Sequence, residues 1–123
     1  MLDFKLRELM ECSKEERRSC LPLVDKIIEL ANLARMEGLL ALEEHIPSFN
    51  EHLLKVGVTI MVDGVSREAN QEIMDNIIIS SGKTGADLIR QMIIRDGVLA
   101  IQAGESPRLI EIKIKAYFGE DLA

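Results

Sequence analysis

The chain has 123 residues, of which 47% are hydrophobic but only 3% aromatic, and it carries a formal net charge of -6. This length allows one core, filled by aliphatic side chains and Met because Trp is absent. The acidic balance argues against a nucleic-acid partner, since binding to phosphates needs a basic surplus. No apolar run approaches the roughly 20 residues that span a bilayer, and the first residues lack a signal-peptide core, so we expect a cytoplasmic protein without membrane insertion.

Residues 1–20 predict an N-terminal helix with a start signal at Ser13. Ser13 precedes two glutamates and two arginines, which is typical of a capped first turn. Cys12 and Cys20 are the two cysteines of the sequence. A disulfide framework or a zinc site would need more ligands, so we expect two ordinary reduced thiols.

A longer helix is predicted from Pro22 to about His45. Proline suits the first turn of a helix, where its missing N–H costs nothing. From Leu23 to Leu42 the apolar residues recur at helical spacing, and charged residues fall on the other side. Pro47 lies just beyond the expected end of this helix.

Two shorter helices follow in the pattern. The apolar segment Leu53–Val62 predicts one of them, and Asp63-Gly64 would close it, since Gly is the favoured left-handed cap. Ser66 can cap the next helix. The run Ile77–Ile79 could be mistaken for a strand, but a single β-branched run without a partner makes no sheet, so we assign it to this helix.

The polar residues Ser80–Gly85 are the clearest interruption of the apolar pattern. A fourth helix is predicted over roughly Ala86–Gln102, and Ser106-Pro107 opens a last helix that runs to Phe118. The sequence therefore predicts an all-α fold, a compact bundle of about five helices with short connections. We expect it to form one domain over residues 1–123.

Small residues recur on two of the predicted helices. Gly38 lies in one stripe, and Gly97, Ala100 and Gly104 form the other. A glycine inside a helix costs roughly 0.5–1 kcal/mol relative to Ala, and close packing of two backbones is the compensation we expect. We predict that the two helices cross near Gly38 and Gly97.

Catalytic and metal-binding motifs are incomplete. Gly82-Lys83-Thr84 matches the end of a phosphate-binding P-loop, but Ile77 stands where the motif needs its first Gly. His45 and His52 lie across a proline-containing turn and have no standard metal-ligand spacing. We therefore expect no enzyme activity, no metal and no cofactor. A small-ligand or metal-binding domain that uses the two histidines stays open as an alternative.

Two blocks of the chain carry a recognisable pattern. The first is Leu33–Glu44, which contains Arg-x-Glu-Gly-Leu-Leu-Ala-Leu-Glu and is followed by Val62-Asp63-Gly64. The second block is Asp96–Glu111. In this order the blocks resemble MotA, the subunit of the bacterial flagellar stator (a MotA/TolQ/ExbB-like family), and together they cover most of residues 30–118. Residues 80–88 stand where that family has one pair of membrane helices, and residues 1–20 stand where another pair ends. The resemblance implies the cytoplasmic domain of MotA without its membrane helices.

In MotA this region contacts the rotor protein FliG through charged residues on the helix that carries the first block. The matching positions here are Arg35 and Glu43, which would lie about 12 Å apart along one helix. Opposite charges at this spacing can engage a complementary row on a partner helix. Pro107 matches a proline of the family, although helix initiation is its simplest role here.

The resemblance thus implies a non-enzymatic protein-interaction domain that binds a component of the flagellar motor, with FliG as first candidate, or that regulates motility. A second hypothesis belongs to a different class. The chain would then be a structural oligomer that buries apolar surface by self-association and makes no rotor contact.

Overall fold

The computed structural model describes residues 4–122, and it describes the side chains of residues 4–120. Residues 1–3 of the predicted N-terminal helix lie outside this part of the chain. The described residues contain no strand, which confirms the all-α prediction. The α-helices are α1 (Phe4–Leu9), α2 (Lys14–Arg18), α3 (Leu21–Glu37), α4 (His52–Val62), α5 (Arg67–Ser81), α6 (Gly85–Gln102) and α7 (Pro107–Lys115), with 3₁₀ segments at Leu39–Ser48 and Ala116–Leu122.

Helix α6 is the centre of the bundle. It packs against α3, α4, α5 and α7, and most of its length is buried. Ile93, Ile94 and Val98 are completely buried, and they join Ile27 of α3 and Phe118 of the last 3₁₀ segment in one core. These aliphatic side chains of α6 therefore form the middle of the hydrophobic core.

The segment predicted as a single N-terminal helix is divided into α1 and α2. Ser13 caps α2, because its Oγ accepts a hydrogen bond from the Glu16 N–H at 3.0 Å. The Glu16 carboxylate in turn accepts from the Ser13 N–H at 3.2 Å. This reciprocal capping box makes Ser13 a true start signal. It begins a new helix after α1, so the prediction of one helix was wrong.

The predicted helix from Pro22 to about His45 was wrong at its end, because α3 stops at Glu37. Gly38 has φ +90° and ψ 166°, a backbone conformation that residues other than glycine rarely adopt. The chain then continues as the 3₁₀ segment, which contains Pro47. Apolar residues spaced three apart lie on one face in both kinds of helix, so the pattern concealed the break.

The tight helix crossing involves Gly97 and Ile27, not Gly38. A Cβ added to Gly97 would lie 2.5 Å from Ile27 Cγ2, so α3 and α6 approach closely at this point. A Cβ on Gly38 or Gly104 would meet nothing within 4 Å. The packing role predicted for these two glycines was therefore wrong, since both lie past a helix end with positive φ. Gly57 of α4 is a close contact that we did not predict, because its Cβ would lie 2.7 Å from Met74 Sδ.

The other helix starts follow the sequence signals, but the last helix was predicted to run to Phe118, and α7 ends at Lys115, where a 3₁₀ segment takes over. Helix α4 ends at Val62 and Gly64 follows with φ +81°. Ser66 and Ser106 cap α5 and α7 through their hydroxyl oxygens. Pro107 is the first residue of α7, where its missing N–H leaves no hydrogen bond unmade. Only residues 82–84 separate α5 from α6, so the break predicted over residues 80–88 is shorter than expected.

No helix within residues 4–122 has both the length and the hydropathy that a bilayer span requires.

Candidate protein-interaction surface

The two predicted partner-binding residues lie on either side of the break at Gly38. Arg35 is in the last turn of α3, and Glu43 is in the 3₁₀ segment that follows. Both side chains are exposed. Because the helix ends between them, the expected spacing of about 12 Å along a single helix does not apply, and that part of the prediction was wrong.

Two exposed apolar side chains accompany these charges, and sequence reasoning missed both. Met36 is 83% exposed and Leu40 is 70% exposed. Residues three apart share an edge of a 3₁₀ helix, so Leu40 and Glu43 lie on the same edge. A signal for Met36 was present, since it falls between Arg35 and Glu37 on the polar side of α3. We call the whole set the helix-break surface, and its exposed residues are Arg35, Met36, Glu37, Leu40, Glu43 and Glu44.

The charged side chains of the helix-break surface have no partners among residues 4–120. None of its arginine and glutamate side chains forms a hydrogen bond or an ion pair there. The charges near α6 behave differently. Arg90 Nε donates to Glu51 Oε1 at 3.0 Å, and Arg95 Nε donates to Asp75 Oδ1 at 2.5 Å. The helix-break surface can therefore meet a partner's charges without first breaking an internal ion pair.

A groove of about 630 Å³ lies elsewhere, between α5, α6 and α7. Its wall holds Arg95, which also donates to Asp96 Oδ1 at 2.9 Å, and Tyr117, whose hydroxyl donates to the same carboxylate. The hydrogen bond with Asp75 raises the pKa of Arg95. Burial, together with the charge of Asp96, raises the pKa of Tyr117. Both groups therefore stay protonated at neutral pH, and this network holds the wall in place rather than moving protons.

The structure does not bring the candidate metal and redox residues into a reactive cluster. His45 is half-buried in the 3₁₀ segment, and His52 is exposed at the start of α4. No group of three His, Cys, Asp or Glu side chains within the described residues could hold a metal ion. Cys12 and Cys20 are both free thiols, and burial raises the pKa of the Cys20 thiol. A buried thiol with a raised pKa is a poor nucleophile.

Comparisons with known proteins point in the direction of the two sequence blocks. Over 54 residues the chain is 39% identical to Motility protein A of Treponema phagedenis, a match that covers 44% of this chain and 21% of that protein. Over 52 residues it is 46% identical to Motility protein A of Bacillus subtilis (strain 168), covering 42% of this chain and 19% of that protein. The match to Motility protein A of Treponema pallidum (strain Nichols) is 37% identical over 54 residues.

The matches extend over about a fifth of the length of these relatives. No protein-family model matches the chain, and no solved structure matches it. The conclusion from the comparisons is that roughly two fifths of this all-α chain is similar to Motility protein A.

Proposed function

We propose that this chain is a non-enzymatic, cytoplasmic protein-interaction domain that acts in motility by binding a component of the flagellar motor, with FliG as first candidate. The similarity to Motility protein A supports the motility context. The observation that carries the proposal is that Arg35 and Glu43 are exposed and have no partner among the described side chains. Charges of this kind orient an approaching partner and raise the association rate.

The apolar residues of the helix-break surface can supply binding free energy that exposed charges do not. Exposed ion pairs contribute only about 0–1 kcal/mol each, so charges alone make a weak contact. Burying a side chain such as Met36 or Leu40 against a partner contributes about 1.5–3 kcal/mol. A surface with apolar side chains beside unpaired charges matches the anatomy of protein interfaces, in which a few buried residues carry most of the binding energy.

Reversing the two charges tests the assignment of the site. We expect the double variant Arg35→Glu/Glu43→Lys to weaken binding to purified FliG by about tenfold or more, because two attractive contacts become repulsive. Binding is measured by biolayer interferometry at several salt concentrations. The loss is expected mainly in the association rate. Added salt should reduce the difference in association rate between the wild type and the variant, because it screens the charges.

The matched control makes the same charge changes on exposed residues elsewhere, Arg108→Glu on α7 and Glu72→Lys on α5. This control should bind as the wild type does. Equal binding by all three proteins would contradict the site. If wild-type protein does not bind FliG but gains mass with concentration in light scattering, self-association replaces the rotor contact as the function.

Removing the apolar side chains of the helix-break surface should change the dissociation rate and not the association rate. We expect Met36→Ser/Leu40→Ser to raise the dissociation rate of the FliG complex by about tenfold or more, with little change in the association rate. Ile79→Ser on α5 is the control, since Ile79 is 77% exposed and lies on another helix. An unchanged dissociation rate would show that Met36 and Leu40 stay outside the interface.

A further inference from the structure

The groove between α5, α6 and α7 has features of a ligand site that are independent of the helix-break surface. Its volume of about 630 Å³ falls within the usual range for small-molecule pockets, roughly 300–1,000 Å³. We propose that it binds a small monoanion, a carboxylate joined to an apolar body. Three helices form the walls of the groove, which is open to solvent on its remaining side.

One cation of the groove has no carboxylate partner. Arg67, Arg95 and Lys113 are the cations of the lining, and Asp96 and Glu105 are its anions. Arg95 is paired with Asp96 and with Asp75 of α5, and Lys113 is paired with Glu105. Arg67 forms no ion pair among the described residues. A single carboxylate could therefore pair with Arg67.

The guanidinium of Arg67 is positioned to bind such a ligand. Its Nε donates to the backbone oxygen of Leu99 at 3.1 Å, which fixes the guanidinium against the end of α6. Its two terminal nitrogens have no hydrogen bond or ion pair within the part of the chain that the structure describes. The terminal nitrogens of a guanidinium donate in a plane that suits a carboxylate, and a side chain already fixed loses little entropy on binding.

The apolar body would lie against the uncharged part of the lining. Leu99 and Ala100 of α6 and Ala116 after α7 supply this part. Gln71 lines the same groove one turn after Arg67, and its amide has no partner among the described residues. An amide beside the guanidinium can donate to the second oxygen of a carboxylate.

The proposal is tested by titrating the full chain with sodium hexanoate and monitoring the titration by two-dimensional amide NMR. We expect saturable shifts at residues that line the groove, and about tenfold weaker binding for Arg67→Gln, which loses a charge-assisted contact. Arg108→Gln removes the same charge from an exposed position outside the groove and should bind hexanoate as the wild type does. Equal weakening in both variants, or no saturable shift in the wild type, would overturn the proposal.

A second pair of measurements separates the two halves of the ligand. Ala116→Phe fills the groove from an exposed position without changing its charge, and it should also weaken hexanoate binding. Acetate and hexanol each carry one half of the probe, and both should bind more weakly than hexanoate. If hexanol bound as tightly as hexanoate, the carboxylate would contribute nothing and Arg67 would not be a binding residue. If acetate bound as tightly as hexanoate, the apolar part of the lining would not contact the ligand.

Discussion

Replacing Gly97 by leucine should lower the free energy of unfolding by about 3 kcal/mol or more, near the upper end of the effects seen when packed cores are overfilled. Even a Cβ at this position would lie 2.5 Å from Ile27 Cγ2 and 3.4 Å from Ile27 Cδ1. Ile27 is completely buried, and close-packed interiors contain few voids into which such a side chain can move. Small domains are stable by only about 5–15 kcal/mol, so this loss should be plain in urea unfolding followed by circular dichroism.

Gly38 provides the control, because it is needed for a different reason. Open space surrounds it, and the cost of a side chain there comes from the backbone at φ +90°. We expect Gly38→Ala and Gly38→Leu to cost the same, about 1–3 kcal/mol, since both strain the backbone equally. At Gly97 the leucine variant should cost more than the alanine variant. Equal costs for the two Gly97 variants would contradict the tight crossing of α3 and α6.

The sequence predicted helix starts better than helix ends. Ser13, Ser66 and Ser106 each begin a helix, because the hydroxyl that satisfies a free backbone N–H is a local feature. The end of α3 at Gly38 was missed because glycine has several uses. Gly97 permits a close contact, whereas Gly38 and Gly104 adopt positive φ, and only contacts with distant residues separate these roles.

The two candidate sites also differ in how far the sequence could predict them. Arg35 and Glu43 could be proposed from the sequence because they belong to one continuous block that resembles a known family. The groove could not be proposed, because Arg67 and Tyr117 are distant in the chain and meet only through the packing of α5 and α7 around α6. Sequence periodicity gives the face of each helix, but it does not give which faces enclose a groove.

Asn70 shows a further limit, since no motif marks it and yet it is completely buried. Its Nδ2 donates to the Gly57 backbone oxygen at 3.1 Å and to Gln102 Oε1 at 3.0 Å. The amide therefore connects α5 to α4 and to the end of α6 through two acceptors. Because both neighbours accept, a donor is required at this position, and the amide orientation is fixed.

Asn70→Asp should consequently be among the most destabilising single changes, at about 3–5 kcal/mol near neutral pH. The new carboxylate would replace the donor and face two oxygen acceptors, of which the Gly57 backbone oxygen is buried and Gln102 Oε1 is partly buried. Burial and the facing acceptors should raise the pKa of this carboxyl group in the folded protein above the ordinary value of about 3.9. Stability is then retained below the unfolded-state pKa and lost as the pH rises through the folded-state pKa.

Measurement relative to wild type at each pH separates this effect from the titration of other groups. We expect the deficit of Asn70→Asp to shrink as the pH falls from neutral towards about 4, because protonation restores one donor. Asn70→Leu is the matched control, since it removes both hydrogen bonds but adds no charge. Its deficit should be about 1–3 kcal/mol and independent of pH. A pH-independent deficit for the aspartate variant would show that water reaches Asn70, and that the bundle is open where α4, α5 and α6 meet.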